Sequence, residues 1–302
     1  MFLPRPPRVE PDPAIAISAW QPIFTAVRTV SEYIDVPILV AGSGPAGLAT
    51  ALALSGDGRR VLLAGPPPSV QDRRTTALMR PALAFLDQLG LGDQVRAVAA
   101  PLSVMRIVDM TGRLIRSPAV TFRAAEIGEE FFGLNIPNAD LNGALAEAVR
   151  RRENIAWHEC MVGEWMPHAD HVEVHLADGT IVRARLAVAA DGRDSPGRTA
   201  AGISIRHRRL PQSALVFNFA HGRHHGFTST EFHTEHGPCT QVPLPGGFRS
   251  SLVWVTRPAH ADELATLDDE ALSLRLEERQ QSFLGKVTVE PGRQVFPLSS
   301  AL

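Results

Sequence analysis

Apolar runs alternate with glycine turns in the first half of the chain. The runs at residues 36–41 and 60–64 are suited to buried strands, and the small apolar residues at 45–55 predict a helix between them. Strand, turn, helix and strand within about thirty residues indicate a βαβ unit. Residues 155–158 predict a third core strand, and Asp140 is placed to cap a helix that runs to about residue 152.

The second half of the chain has the period-two alternation that is typical of antiparallel sheets. Residues 172–176 and 181–186 alternate around an Asp178-Gly179 turn, which predicts a hairpin. Beyond about residue 205, further strand-like segments are interrupted by one predicted helix at 268–284. We therefore expect an α/β fold with a Rossmann-like domain and a mostly antiparallel β domain.

Composition narrows the classes of protein that are possible. The 302 residues are 44% hydrophobic with a net charge of −2, which excludes global disorder and gives no basic field for nucleic acid. Cys160 and Cys239 form no CxxC pair, and we expect reduced thiols in a cytoplasmic protein. A single disulfide between them is the alternative. Residues 36–54 carry no charge, but their glycines and prolines favour strand, turn and helix over a membrane span.

The strongest motif is a glycine-rich turn between the first predicted strand and helix. It reads Gly42-Ser43-Gly44-Pro45-Ala46-Gly47 and matches the GxGxxG pattern. Such glycines allow a tight turn, close approach of the backbone to a pyrophosphate, and close helix–strand packing. The phosphates would lie at the helix N-terminus, where the N–H groups and the helix dipole favour negative charge. The motif predicts a dinucleotide site.

The second strand departs from the usual dinucleotide pattern. An acidic residue that holds the adenosine ribose is expected after that strand, and Gly65 stands in its place. This departure weakens a simple NAD interpretation and leaves the ribose contact unassigned.

Two polar segments add candidate ligands. The first, Asp72 to Leu78, reads DRRTTAL and offers arginines for phosphate contact. The second follows an apolar strand and reads Ala190-Asp-Gly-Arg-Asp-Ser195, with Arg198 close behind. Taken alone, the first segment has a simpler interpretation as a solvated basic loop, and the second as an Asp-Gly turn.

Together, GSGPAG, DRRTTAL and ADGRDSPGR resemble the flavoprotein aromatic hydroxylases of the para-hydroxybenzoate-hydroxylase type, and more closely their ubiquinone-biosynthesis branch, the UbiH/UbiF/VisC hydroxylases. The resemblance runs from about residue 36 to the end. It implies FAD as cofactor and NAD(P)H as co-substrate. It also implies that O2 and an aromatic or quinone-precursor substrate react on the enzyme, with no nucleic acid partner. A prenylated precursor would imply peripheral association with the inner membrane or with a quinone-biosynthesis complex.

The resemblance also implies roles for particular residues. The turn formed by Gly42, Ser43, Gly44, Pro45, Ala46 and Gly47 would line the FAD pyrophosphate. Arg74 would reach the phosphate or ribose side of FAD, and the backbone of Val162 would contact the adenine. Asp191 and Gly192 would touch FAD and help NAD(P)H to reach it. No residue is assigned as catalytic, because the cofactor carries the chemistry in this family.

The family's second FAD motif, a Gly-Asp followed by Ala-Ala-His near the C-terminus, does not occur in this sequence. The resemblance therefore predicts a chain that is C-terminally truncated. Two alternatives stay open: a non-catalytic remnant or assembly partner, and another reaction on the same flavin fold, such as that of a halogenase or prenyl reductase.

The predicted domains follow from the same resemblance. Residues 1–34 form an extension that we expect to be disordered. Residues 35–100 and 139–205 form a discontinuous FAD-binding domain, and 101–138 and 206–302 form a substrate-side β domain. Five histidines between His221 and His236 could suggest a metal site, but residues 233 and 236 of a strand face opposite ways, so we predict none.

Overall fold

A computed structural model describes residues 32–301. Of the predicted extension 1–34, residues 1–31 lie outside the described residues. Tyr33 and Ile34 belong to the first strand. Structured chain therefore begins before residue 35, where the FAD-binding domain is predicted to start.

Seventeen strands are present among the described residues. They are β1 Tyr33–Ala41, β2 Val61–Ala64, β3 Thr75–Met79, β4 Ala100–Leu102, β5 Val104–Asp109, β6 Val120–Arg123, β7 Gly133–Pro137, β8 Ile155–His158, β9 Val162–Pro167, β10 Val172–Leu176, β11 Ile181–Ala189, β12 His207–His221, β13 Thr228–Thr234, β14 Gly237–Pro243, β15 Arg249–Thr256, β16 Val287–Val289 and β17 Gln294–Ala301.

Seven α-helices connect these strands in the described part of the chain. They are α1 Pro45–Leu54, α2 Arg80–Gln88, α3 Gly92–Ala97, α4 Asn138–Arg150, α5 Pro196–Ala200, α6 Pro258–Thr266 and α7 Asp269–Arg279. The predicted cap at Asp140 is wrong, because α4 begins two residues earlier and Asp140 lies in its first turn. The helix predicted at 268–284 is shorter, and α6 precedes it.

The nucleotide-binding half is built on a six-stranded sheet of order β8-β2-β1-β11-β10-β9. The first four strands are parallel, and β10 and β9 continue the sheet as an antiparallel meander. Leu48, Leu63 and Leu145 are among the apolar residues that fill the core on the side of α1 and α4. The predicted α/β class is confirmed.

A second, eight-stranded sheet is mostly antiparallel and contains β16-β12-β15-β14-β13-β5-β6, with β17 paired to β12. Its core lies against α7, where Phe217, Leu252 and Leu276 are fully buried. Strands β3, β7 and β4 form a third small sheet. The predicted domain boundaries stay predictions, although β5 and β6 join the strands beyond residue 205 as that division expects.

A buried polar network occupies one end of the eight-stranded sheet. His225 accepts a hydrogen bond at Nδ1 from the backbone N–H of Phe227 and donates from Nε2 to the carbonyl of Leu244. His221 donates from Nδ1 to the carbonyl of Arg223, and its Nε2 faces the Ser250 hydroxyl. Both imidazoles are buried, and burial lowers the pKa of each. The network therefore fits neutral histidines.

We expect the stability of the protein to fall as the pH drops below about 6.5, the pKa of histidine in an unfolded chain. Above that pH both histidines are neutral in the folded and unfolded states. Below it the unfolded state binds protons more readily than the folded state, because a proton on His225 Nδ1 would face the N–H of Phe227. Urea unfolding between pH 5 and 8 measures the effect.

The exposed His236 provides the control for this network. His236→Asn is expected to keep the wild-type pH profile, whereas His221→Gln and His225→Gln together flatten it. A wild-type unfolding free energy that does not change between pH 5 and 8 would contradict the assignment.

Candidate flavin-binding site

The carboxyl ends of the parallel strands meet at the glycine-rich turn. The Gly42 N–H donates to the carbonyl of Ala64 at the end of β2, 2.7 Å away. The Ala190 N–H, just after β11, donates to the carbonyl of Ala41, also at 2.7 Å. The structure thus brings Gly42 and Asp191 to one crevice, which is where open α/β sheets bind ligands.

Two of the glycines are required by packing. A Cβ added to Gly47 would lie 1.7 Å from the carbonyl oxygen of Gly42, so only glycine lets α1 lie this close to the turn. Gly42 itself has φ +106°, and a Cβ there would lie 2.1 Å from the carbonyl oxygen of Ala190. These two positions bring the start of α1 to the strand ends.

The remaining glycine faces open space. Gly44, Pro45 and Ala46 are exposed, and, apart from its chain neighbours and the helix backbone, no heavy atom of residues 32–301 lies within 4 Å of a Cβ built on Gly44. The first N–H groups of α1 have no partner within the helix, and its dipole places partial positive charge here. The cradle fits a pyrophosphate, and an FAD pyrophosphate would be held by these backbone groups.

Ser43 explains the missing acidic residue after β2. The Ser43 side chain is buried and donates a hydrogen bond to the carbonyl of Pro66. A Cβ on Gly65 would lie 2.6 Å from Ser43 Oγ and 2.8 Å from Ser43 N. An acidic side chain therefore has no room at residue 65 in this arrangement.

Asp191 follows β11 and has one carboxylate oxygen engaged. Its Oδ2 accepts from the N–H of Gly197 at 3.0 Å, in the first turn of α5. Its Oδ1 is buried without a hydrogen-bond partner among the described residues. The neighbouring Gly192 has φ +90°, and in the described part of the chain only its sequence neighbours lie within 4 Å of a Cβ built on it. A buried, unpaired carboxylate oxygen thus lies next to a stretch of backbone without close packing.

Arg74 lies in a separate network that joins the first half of the chain to β17. It forms a two-pronged ion pair with Asp72, with nitrogen–oxygen distances of 2.9 and 2.8 Å. Burial raises the pKa of Asp72, but hydrogen bonds from Arg74 and Asn138 outweigh it and hold the pKa below its usual value. The guanidinium lies 5.5 Å from the ring centre of Phe296, at the wall of a cavity of about 300 Å³.

Val162 packs against the apolar cluster that contains Ala64, the last residue of β2. Val162 is the first residue of β9, at the edge of the six-stranded sheet opposite β8, and it pairs with Leu176. Its proposed adenine contact stays a prediction. Strand β9 is not predictable from its sequence, because residues 162–167 show no regular alternation.

The structure brings together two clusters of metal-ligating side chains that were not predicted from the sequence. One contains His158, Cys160 and Asp178, and the other His168, His171 and Glu173. The ligand atoms within each lie within 4.8 Å of one another. Cys239, in contrast, is fully buried, and burial raises its pKa to about 12, so its thiol is not a nucleophile near neutral pH.

Comparison with known proteins identifies the family of the chain. The family model described as "FAD binding domain" matches residues 35–294. Ubiquinone hydroxylase UbiL of Rhodospirillum rubrum is 32% identical over 89% of this chain and 62% of its own length. The 3-demethoxyubiquinol 3-hydroxylase of Escherichia coli is 28% identical over 83% of this chain and 65% of its own length. The chain therefore spans slightly less than two thirds of these relatives.

Solved structures show the same fold. The flavin-dependent monooxygenase PieE, in complex with FAD and substrate, superposes with a TM-score of 0.70 at 21% identity, over 89% of this chain and 50% of that one. The p-nitrophenol 4-monooxygenase PnpA of Pseudomonas putida gives 0.66 at 23% identity, over 89% of this chain and 69% of PnpA. The fold is the α/β fold of flavin monooxygenases. The chain belongs to the FAD binding domain family, in the group of FAD-binding monooxygenases that includes the ubiquinone hydroxylases.

Within residues 32–301, no helix is both long and apolar enough to cross a membrane.

Replacing two glycines of the turn by alanine separates binding from folding. Gly44→Ala is expected to weaken FAD binding about tenfold, because its methyl group enters the open cradle, and to lower the melting temperature only slightly, because alanine is a poorer N-cap than glycine. Gly47→Ala is expected to destabilise the fold by about 1–3 kcal/mol, because its methyl group overlaps the Gly42 carbonyl. Thermal unfolding and FAD titration measure both effects.

Either of two outcomes would count against this division of roles. One is a Gly44→Ala protein that binds FAD as tightly as wild type. The other is a Gly47→Ala protein with the wild-type melting temperature.

Adjacent arginines give a matched test of the DRRTTAL segment. Arg74→Gln removes the charge and both hydrogen bonds to Asp72, and FAD affinity is expected to fall about tenfold or more. Arg73→Gln removes an exposed charge next to it and is expected to change affinity less than threefold. Equal losses in the two variants, measured by FAD titration, would indicate only a general effect of positive charge.

Proposed function

We propose that the chain is the FAD-binding part of a monooxygenase that hydroxylates an aromatic ring with NAD(P)H and O2, in ubiquinone biosynthesis. The observation that carries the proposal is the open cradle at Gly44, at the N-terminus of a helix that Gly47 holds close to the strand ends. The two ubiquinone-related relatives support the substrate class. Because the chain spans less than two thirds of them, the activity of the whole protein is part of the proposal.

Each side chain has a limited task in this proposal. The turn from Gly42 to Gly47 binds the pyrophosphate through backbone N–H groups, without a charged side chain. Arg74 is oriented by Asp72 and presents the remaining N–H groups of its guanidinium to the phosphate or ribose side. Bound FAD would supply the redox chemistry, taking a hydride from NAD(P)H and activating O2.

The carboxylate of Asp191 has a positioning task. Its Oδ2 holds the first turn of α5, which fixes the side chain, and its Oδ1 is buried without a hydrogen-bond partner among the described residues. A buried acceptor without a partner costs about 1–3 kcal/mol, which a donor on the bound cofactor would offset. Val162 and Gly192 belong to the proposed site through their backbone groups only.

The first test is a visible absorption titration of the purified chain with FAD. The proposal expects a bound flavin whose absorption maxima are shifted from those of free FAD. NAD(P)H oxidation that depends on an added phenolic or quinone-precursor substrate, with matching O2 uptake, would then support aromatic hydroxylation.

Two other results would redirect the assignment. No flavin binding at high FAD concentration would favour a non-catalytic remnant or an assembly partner. Flavin binding with substrate turnover but without O2 uptake would favour another reaction on the same fold, such as prenyl-chain reduction.

A further inference from the structure

Two histidines and a glutamate meet at the turn between β9 and β10. Residues 168–173 read His-Ala-Asp-His-Val-Glu, and the His168 N–H closes the turn by donating to the carbonyl of His171 at 2.8 Å. The two imidazole rings are stacked, with their centres 4.5 Å apart. One ligand atom from each of His168, His171 and Glu173 lies within 4.8 Å of the other two. These three residues are here called the hairpin cluster.

The ring of His171 is oriented by a neighbouring carboxylate. Asp170 Oδ1 lies 2.7 Å from His171 Nδ1, and because an ionised carboxylate can only accept, the proton of a neutral imidazole lies on Nδ1. The lone pair is then on Nε2, which is buried and has no hydrogen-bond partner among the described residues. A carboxylate that holds one ring nitrogen while the other stays open is the usual support of a metal-bound histidine.

Glu173 faces both imidazoles of the hairpin cluster. Its Oε1 lies 3.5 Å from Nε2 of His171, and its Oε2 lies 4.0 Å from Nε2 of His168. Arg183 on β11 donates to Oε1 at 2.9 Å, which fixes the carboxylate. The lone pair of a neutral His171 and the negative charge of Glu173 repel each other at this distance, and a cation bound by both groups would remove the repulsion.

The second cluster of ligating side chains, His158, Cys160 and Asp178, differs in this respect. Nε2 of His158 lies 2.6 Å from Oδ2 of Asp178, and Oδ1 of Asp178 accepts from the Thr180 N–H at 3.0 Å. Both carboxylate oxygens are engaged, so a metal ion would have to displace an existing hydrogen bond. The hairpin cluster instead offers a buried nitrogen that is already unpaired.

A cavity gives an ion access to the hairpin cluster. It has a volume of about 610 Å³, and His171 lines it together with Asp35 and Arg60. Asp35 lies near the start of β1 and Arg60 directly precedes β2, whereas the glycine-rich turn follows the end of β1. The hairpin cluster is therefore separate from the proposed flavin site.

We propose that the hairpin cluster binds a divalent transition-metal ion such as Zn²⁺, through one nitrogen each of His168 and His171 and the carboxylate of Glu173. Two imidazoles and one carboxylate suit Zn²⁺, Ni²⁺ or Cu²⁺ better than Mg²⁺ or Ca²⁺, which prefer oxygen ligands. The pairing of Glu173 with Arg183 adds to this preference, because it neutralises part of the carboxylate charge.

The bound ion would fasten β9, the edge strand of the six-stranded sheet, to β10 at their turn. Three protein ligands leave a coordination position for water. This inference goes beyond the proposed function and does not depend on it, because no residue of the hairpin cluster belongs to the proposed flavin site.

Calorimetric titration with ZnCl₂ tests the proposal on the full chain, without a histidine tag and after treatment with a chelator. Saturable binding is expected, with a higher melting temperature in the presence of Zn²⁺, because the ion binds the folded state. MgCl₂ at the same concentration is expected to give neither effect. A chain that shows no saturable Zn²⁺ binding would overturn the proposal.

Variants locate the ion. His168→Gln and His171→Gln are each expected to weaken Zn²⁺ binding tenfold or more, because a ligand is lost, and Asp170→Asn about tenfold, because the ring of His171 is held less firmly. The controls are His207→Gln, an exposed histidine outside both clusters, and Cys160→Ser in the second cluster, and both should bind as wild type. Wild-type affinity in His171→Gln, or an equal loss in His207→Gln, would overturn the assignment.

Cobalt(II) identifies the ligand atoms. The Co²⁺-loaded chain is expected to show weak visible bands without the strong near-ultraviolet absorption of a cobalt–thiolate bond. Such an absorption, lost in Cys160→Ser, would place the ion at the second cluster and overturn the proposal. His171→Gln is expected to bind FAD as wild type does, so a loss of Zn²⁺ binding is told apart from misfolding and from failure of the flavin site.

Discussion

The rest of the site depends on the close approach of α1 to the turn that precedes it. Gly47 stands against the carbonyl of Gly42, with no room for even a methyl group between them. Because the helix begins this close to the strand ends, its unpaired N–H groups lie in the crevice formed by β1, β2 and β11. A helix displaced by a side chain at residue 47 would carry those N–H groups away from the crevice. One glycine therefore couples the packing of the core to the electrostatics of the site.

The same turn determines what can follow β2. Ser43 is buried against the Gly65 backbone, and the carbonyl of Gly65 also accepts a hydrogen bond from the Trp157 indole at 2.9 Å. The contact between Ser43 and Gly65 thus fills the region after β2 that usually holds a ribose-binding carboxylate. Ser43 and Gly65 belong together, since a larger residue at either position would displace the other. The departure from the dinucleotide pattern therefore depends on two residues that pack against each other, Ser43 and Gly65.

Much of the fold can be predicted from short sequence patterns. Elements that form only by pairing between distant segments cannot be predicted in this way. The βαβ unit, the strand at 155–158 and the hairpin around Gly179 follow from runs and turns only a few residues long. Strand β3, inside the DRRTTAL segment, depends on pairing with β7, more than fifty residues away, and its sequence alone gives no strand signal. For the site, the sequence indicated Gly42–Gly47 and Asp191 but not the packing of Ser43 against Gly65. Such a contact depends on where two chain segments meet.

The acidic side chains beside the turns show why Asp191 differs from its counterparts. Asp109 uses both carboxylate oxygens within the protein, for Thr111 and for Ser117. Asp178 does the same, accepting from the Thr180 N–H and contacting His158. Such side chains stabilise turns by replacing water around backbone N–H groups. Asp191 gives one oxygen to the start of α5, and its other oxygen is buried without a hydrogen-bond partner among the described residues. Closing the turn therefore uses only one of the two oxygens, and the proposed role of Asp191 towards a bound molecule would use the second.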